Sequence, residues 1–282
     1  MATAVHKLQG AGGVGGADSY WIALLGGTGS DVGYSVAIDS SGNIIVTGST
    51  ASDGAGGSDL LVAKYDSSGT LLWDKTLGGT GTDNGQGVAI DSSDNIIVTG
   101  RNPLVTTAYD VVTVKYDPSG TLLWTKIFDT PSRAYGYGVG IDSLDNIVVC
   151  GFSDSTQGEA ILIKYNSSGT LQWQKGLKGA SGDTYFGVMS IDSSDNIIVT
   201  GSTGSDGAGG NDLLVAKLHP DGLGDGTYGN SVYQDAVLTD AAAVLTDSTT
   251  SYTDTTRSLT DAAAVLTDAA AVLTEELLPI TI

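Results

Sequence analysis

The string IDSSGNIIVTG at 38–48 returns almost unchanged as IDSSDNIIVTG at 90–100, IDSLDNIVVCG at 141–151 and IDSSDNIIVTG at 191–201, at spacings of 52, 51 and 50 residues. A second string keeps step with it: LLVAKYDSSGTLLW at 60–73, VVTVKYDPSGTLLW at 111–124, ILIKYNSSGTLQW at 161–173 and LLVAKLHPDG at 213–222. Each unit spells four short runs rich in Val, Ile, Leu, Tyr and Trp, parted by Asp, Ser, Gly and Asn clusters, which is the pattern of antiparallel strands joined by tight turns. In the first unit the runs are GYSVAID, NIIVTGS, DLLVAKYD and TLLWDKT. Four-stranded units recurring near 50 residues predict a β-propeller, because one such sheet cannot bury both of its faces alone. No long helical period occurs before about residue 230, so the fold class is all-β. The 41 glycines, about twice the roughly 7% average share, serve turns, since they follow no collagen-like period.

The ends of the array predict how it closes. DSYWIALLGGTG at 18–29 aligns through Trp21 with the fourth run TLLWDKTLGGTG at 70–81, so the array opens with a fourth strand. It finishes with a third strand, LLVAKL at 213–218, that no Trp-bearing run follows. Pairing the two predicts a four-bladed β-propeller closed by the N-terminal strand, a closure that removes two sheet edges. The alternative is an open array completed by another subunit.

The succession GGTG-x-D, ID-SS-x-NIIVTG-ST and DLLVAKYDSSGTLLW resembles the SBBP repeat of bacterial and phage β-propellers over roughly 18–222. The resemblance implies the repeat type and no shared active site. The third unit departs from it, with DTPSRAYGYG at 129–138 where other units keep GGTG or GASG.

From Gln234 the period changes to seven, with Thr at 239, 246, 253, 260, 267 and 274, each followed by an acid. Leu238, Leu245, Tyr252, Leu259, Leu266 and Leu273 then share one seam, and a heptad-repeat C-terminal stalk follows, a coiled-coil helix of about 60 Å that needs partner helices. The Ser/Thr-rich middle heptads leave a β-structured stalk and a disordered segment open as alternatives. The expected division is a Gly-rich arm at 1–17, the propeller at 18–222, a linker at 223–233 and the oligomerisation segment at 234–282. The expected self-partner is a homo-oligomer, with a trimer favoured.

The formal charge of −20 repels phosphate backbones and anionic headgroups, so neither nucleic acid nor membrane is an expected partner. No run approaches 18 apolar residues, and MATAVHKLQGAGG lacks the apolar stretch of an export signal. Cys150, the single cysteine, sits in a strand pattern and is expected as a buried thiol.

Several motifs reduce to structure. GGTGSD at 26–31 and GGTGTD at 78–83 start like a calcium-binding nonapeptide but place Gly33 and Gly85 where a large apolar residue belongs. Asp53 with Asp59, and Asp206 with Asp212, are expected as turn residues rather than cation ligands, and no metal or cofactor is expected. Gly10, Gly12 and Gly15 match a phosphate-loop pattern without the flanking strand and helix it needs. His6 and His219 lack companion ligands. Trp21, Trp73, Trp124 and Trp173 are expected to pack between blades, and Lys64, Lys115, Lys164 and Lys217 to meet Asp39, Asp91, Asp142 and Asp192.

No Ser–His–Asp set or distinct carboxylate pair stands out, so no enzymatic activity is expected. The repeat symmetry breaks at 101–109 and 129–137, which bring Arg101, Tyr109, Arg133, Tyr135 and Tyr137, and such side chains on loops suit surface recognition. The expectation is a non-enzymatic structural and recognition protein of a larger assembly, foremost a phage virion component such as a tail fibre or capsid decoration. Its other expected partners are virion or surface proteins and a host-surface glycan. The alternative is a bacterial cell-surface or secreted adhesion module.

Overall fold

The computed structural model describes residues 2–8 and 20–235, apart from 55, 103–108, 129–131, 155–157, 180–181, 205–209, 224–225 and 229–230. The expected seam Leu238, Leu245, Tyr252, Leu259, Leu266 and Leu273 lies outside these residues, as does the Gly-rich part of the N-terminal arm. The described residues are all-β.

Four antiparallel sheets follow the four repeat units. Sheet I holds β3 (Asp31–Ile38), β4 (Ile44–Thr50), β5 (Asp59–Tyr65) and β6 (Leu71–Leu77), in that order. Sheet II holds β7 (Asn84–Ile90), β8 (Ile96–Asn102), β9 (Asp110–Tyr116) and β10 (Leu122–Phe128). Sheet III holds β11 (Ala134–Ile141), β12 (Ile147–Ser153), β13 (Glu159–Tyr165) and β14 (Leu171–Gly179), and sheet IV has only β15 (Thr184–Ile191), β16 (Ile197–Thr203) and β17 (Asp212–Leu218). The four-residue tips are local chemistry: Asp39 Oδ1 accepts from the backbone N–H groups of Ser41 at 3.0 Å and Asn43 at 2.8 Å, closing the first hairpin. Asp91, Asp142 and Asp192 repeat the arrangement.

The sheets stack face to face, and three apolar clusters fill the spaces between I and II, II and III, and III and IV. The first joins Ile45, Leu60 and Val62 to Val88, Val112 and Val114. Each Trp-bearing strand lays its tryptophan on the turn glycine of the sheet that follows it. A Cβ at Gly69, Gly120, Gly169 or Gly222 would stand 2.6, 3.0, 3.1 or 3.0 Å from Trp21, Trp73, Trp124 or Trp173, and all four glycines have positive φ. The expected knobs are therefore in place, and only glycine fits beneath them. The lysines meet the predicted partners: Lys64–Asp39, Lys115–Asp91, Lys164–Asp142 and Lys217–Asp192 lie at 2.9, 2.8, 2.9 and 2.8 Å. Cys150 is buried, and burial pushes its thiol up to about 12, which leaves it inert.

Closure differs from expectation. The Trp-bearing strand β2 (Tyr20–Gly26) does not pair with β17; it pairs antiparallel with β1 (Ala2–Leu8) in a separate two-stranded sheet. The register sets Lys7 opposite Trp21, just as Lys64 faces Trp73, Lys115 faces Trp124 and Lys164 faces Trp173. The reason lies in the residues, because Val5-His6-Lys7-Leu8 nearly repeats Val215-Ala216-Lys217-Leu218. β1 thus occupies the edge of β2 that a third strand takes in every other sheet. β2 still sits as a fourth strand against sheet I, with the Trp21 ring tilted against Tyr65 at 5.9 Å. At the other end β17 pairs with β16 alone among the described residues.

The expected linker 223–233 also differs. It contains β18 (Gly226–Tyr228) and most of β19 (Ser231–Asp235), and β19 pairs with the outer edge of β14, lengthening sheet III to six strands.

Candidate recognition site on the axis

The first strand of each sheet carries one irregularity at the same place. Pairing shifts between Gly33 and Ser35 in β3, Gly85 and Gly87 in β7, Gly136 and Gly138 in β11, and Phe186 and Val188 in β15. The extra residues are Tyr34, Gln86, Tyr137 and Gly187. A bulge leaves its residue out of the ladder and re-aims its side chain, and all four line a single cavity of about 420 Å³ where the four first strands converge. Tyr185, Met189 and Ser35 are among its other lining residues. The strands crowd at this axis: a Cβ at Gly87 would stand 2.9 Å from the Tyr137 carbonyl oxygen, and one at Gly138 2.9 Å from Cys150 Sγ.

Gln86 and Tyr137 also belong to a neighbouring cavity of about 350 Å³, whose remaining walls are Arg101, Tyr135, Gly136 and Phe152. An aromatic row connects the two. Tyr185 meets Tyr137 edge-on at 6.5 Å, Tyr137 lies parallel to Tyr135 at 6.1 Å, and Tyr135 meets Tyr109 at 5.6 Å and Phe152 at 6.3 Å. The Arg101 guanidinium sits 4.6 Å from the Tyr109 ring centre and 5.7 Å from that of Tyr135, within cation–π range. With its amide oxygen turned toward the guanidinium, Asn84 accepts from Arg101 Nε at 3.0 Å and Nη2 at 3.2 Å. Burial, reinforced by Tyr135 and Tyr185 and opposed by Arg101, raises the Tyr137 phenol above its ordinary value, so it stays a neutral donor.

Four of the five residues expected at the contact face, Arg101, Tyr109, Tyr135 and Tyr137, therefore form one group. Arg133 does not join them; it stands in the exposed turn before β11, where its backbone N–H donates to Asp154 Oδ1 at 2.6 Å. The expectation missed Tyr34, Gln86 and Tyr185. The signal for Tyr34 and Gln86 was the position after the first-strand glycine, which reads GYS, GQG and GYG in the first three units; Tyr185, two residues before the fourth bulge, had no such signal. Among the described residues, the cavity linings contain no carboxylate, histidine or cysteine. Such walls hold, orient and stack a ligand.

A family model described as a β-propeller repeat, SBBP, matches residues 21–54. A model for a β-propeller domain of unknown function, DUF5122, matches residues 40–71 and 193–228. These matches support a β-propeller repeat protein. An uncharacterized WD repeat-containing protein of Acanthamoeba polyphaga mimivirus is 25% identical over 182 residues, covering 47% of this chain and 13% of that protein. Among solved structures, a protein of unknown function from Bacteroides caccae is similar over 77% of this chain and 64% of its own, with 12% identity and a TM-score of 0.45. The tail fiber of a Staphylococcus aureus phage is similar over 74% of this chain and 50% of its own, with 10% identity and a TM-score of 0.24.

Proposed function

We propose that this β-propeller repeat protein is a non-enzymatic structural and recognition component of a larger assembly, a phage virion part such as a tail fibre or capsid decoration, with the bulge-lined axis as its contact site. One observation carries the reading. A scaffold that repeats its turns, its Lys–Asp pairs and its Trp–Gly contacts unit after unit places three different residue types, in Tyr34, Gln86, Tyr137 and Gly187, at one equivalent axial position. Symmetry broken where side chains face a cavity marks selection for a ligand rather than for the fold. The described linings offer phenols, a serine hydroxyl, an amide and a guanidinium, groups that suit holding and orienting a ligand. Placement in a virion draws on the near-identical repeats and the heptad run, which suit multiple copies in a particle, and a giant-virus protein is among the sequence relatives.

The test immobilises the full chain and measures binding of intact host bacteria and of a printed glycan array. The wild type is expected to retain one class of surface, and Tyr34→Ala combined with Tyr137→Ala to lose it while melting normally. Equal retention by wild type and variant removes the axis from the reading. Mass spectrometry of purified particles tests the virion placement, and detection in bacterial surface fractions alone favours the adhesion alternative.

A further inference from the structure

The chemistry of the ligand is legible at the end of the aromatic row. The lysines at the start of each hairpin tip, Lys64, Lys115, Lys164 and Lys217, are each neutralised by an aspartate within 3 Å. Arg101 is different: among the described residues it forms no ion pair, and its planar group rests on Tyr109 and Tyr135 with a neutral amide, Asn84, as its hydrogen-bond partner. In a chain of net charge −20, a cation held flat against rings at a cavity wall, in no salt bridge among the described residues although the buried Asp83 carboxyl is near enough to feel its charge, is a receptor for an anion. One guanidinium suits a single carboxylate, which it engages through two parallel N–H bonds, better than the multiple charge of a polyphosphate backbone that the rest of the surface repels.

The remainder of the groove fixes the rest of the ligand. Parallel Tyr135 and Tyr137 rings, edge-on Tyr185 and Phe152 give apolar faces on which a ring with C–H groups stacks. Gln86, shared by both cavities, the Tyr34 and Tyr137 phenols and Ser35 supply donors and acceptors for several hydroxyls. Two adjoining volumes of about 420 and 350 Å³ exceed a single sugar ring and accommodate a short chain. We propose that the two cavities form one groove for an acidic oligosaccharide, with a uronate carboxylate on Arg101 and neighbouring rings stacked along Tyr135 and Tyr137 toward the axis. The proposal rests on the recognition reading above and names its ligand class.

Calorimetric titration of the full chain with trigalacturonate and with its fully methyl-esterified form separates charge from shape, because the two share every ring and hydroxyl. The acid form is expected to bind at least about tenfold more tightly, the range of a charge-assisted bond. Arg101→Gln should bring the acid down to the ester's affinity, Arg101→Lys should keep part of the preference, and Tyr137→Ala should weaken both forms. Circular dichroism and melting of each variant report whether the fold is intact. Equal binding of acid and ester overturns the role of Arg101, and so does an unchanged preference in Arg101→Gln. Failure of the wild type to bind either form overturns the proposal; if the same preparation still binds host cells through Tyr34 and Tyr137, the recognition reading survives it.

Discussion

Ser40 of sheet I donates its backbone N–H to Asp94 Oδ1 of sheet II at 2.9 Å and its hydroxyl to Oδ2 at 2.5 Å. The latch recurs between Ser92 and Asp145 and between Ser143 and Asp195, and each aspartate holds φ near +60° to reach back. In sheet I the corresponding position is Gly42, also at positive φ but without a carboxylate to offer Ser193. Three junctions carry a latch and the fourth pair of ends has none, in keeping with β2 and β17 standing unjoined.

The latch yields a paired test. Asp145→Ala removes two hydrogen bonds and leaves a Cβ-bearing residue in the left-handed region, so urea unfolding should show a loss of about 2 kcal/mol. Gly42→Asp introduces the missing carboxylate where a Cβ meets nothing within 4 Å. It should destabilise by about 1 kcal/mol from backbone strain alone. A gain in stability would mean instead that sheet IV reaches sheet I in solution and that the ring closes.

The uncovered ends predict unequal costs for equivalent residues. Leu60 and Val62 are 1% and 0% exposed in sheet I, whereas their counterparts Leu213 and Val215 in sheet IV are 80% and 64% exposed. At the opposite end Val36 is 62% exposed where Val88 is 9%. Leu60→Ala should cost about 2–5 kcal/mol, the range for emptying a packed site, and Leu213→Ala less than about 0.5 kcal/mol. Comparable losses at both positions would show that something covers sheet IV.

The same asymmetry applies to charge. The Lys115 and Asp91 side chains are almost wholly buried, and Lys115 Nζ also donates to the Ser167 carbonyl of the next sheet at 3.0 Å. Lys115→Met strands a buried carboxylate and should cost about 3–5 kcal/mol. Lys217 is exposed beside Asp192, and Lys217→Met should fall within about 1 kcal/mol of wild type. Chemical unfolding of the two variants side by side checks the difference.

What the sequence displayed and what it hid divide along a physical line. The turns, the Lys–Asp pairs and the Trp–Gly contacts were legible because one local solution was used repeatedly, and repetition exposes the residues that build it. The axial bulges were hidden because Tyr34, Gln86, Tyr137 and Gly187 share a backbone role across three different residue types. The partner of β2 was misassigned because two segments, VHKL and VAKL, fit one edge, and pattern alone does not rank a near strand above a distant one. The strands β18 and β19 belong to no repeat, so nothing in the period announced them. Within the site, Arg101, Tyr109, Tyr135 and Tyr137 were found because they interrupt the period, and Arg133 was carried in with them for the same reason though it lies elsewhere.

Buried carboxylates predict an unusual response to acid. Asp83 is fully buried just before β7, and burial, opposed by the Gly79 N–H and Arg101, pushes its carboxyl up to about 6. A raised carboxylate takes up its proton in the folded chain before the unfolded chain does, so between pH 7 and about 4 folding binds protons and stability rises as pH falls. The gain is bounded by about 3 kcal/mol for two pKa units. Asp39 acts in the opposite sense: burial alone would raise it, but the Asn43 and Lys64 bonds outweigh burial and hold it down at about 2. Its contribution is present above the ordinary carboxylate range and is lost as pH falls from about 4 to 2. Urea midpoints from pH 8 to 2.5 should therefore climb, pass a maximum near pH 4–5 and drop. Asp83→Asn keeps an acceptor for Gly79 without a charge, and it should raise the pH 7 midpoint and flatten the climb. A wild-type profile that falls steadily from pH 7, or an Asp83→Asn profile of unchanged shape, would remove Asp83 as its source.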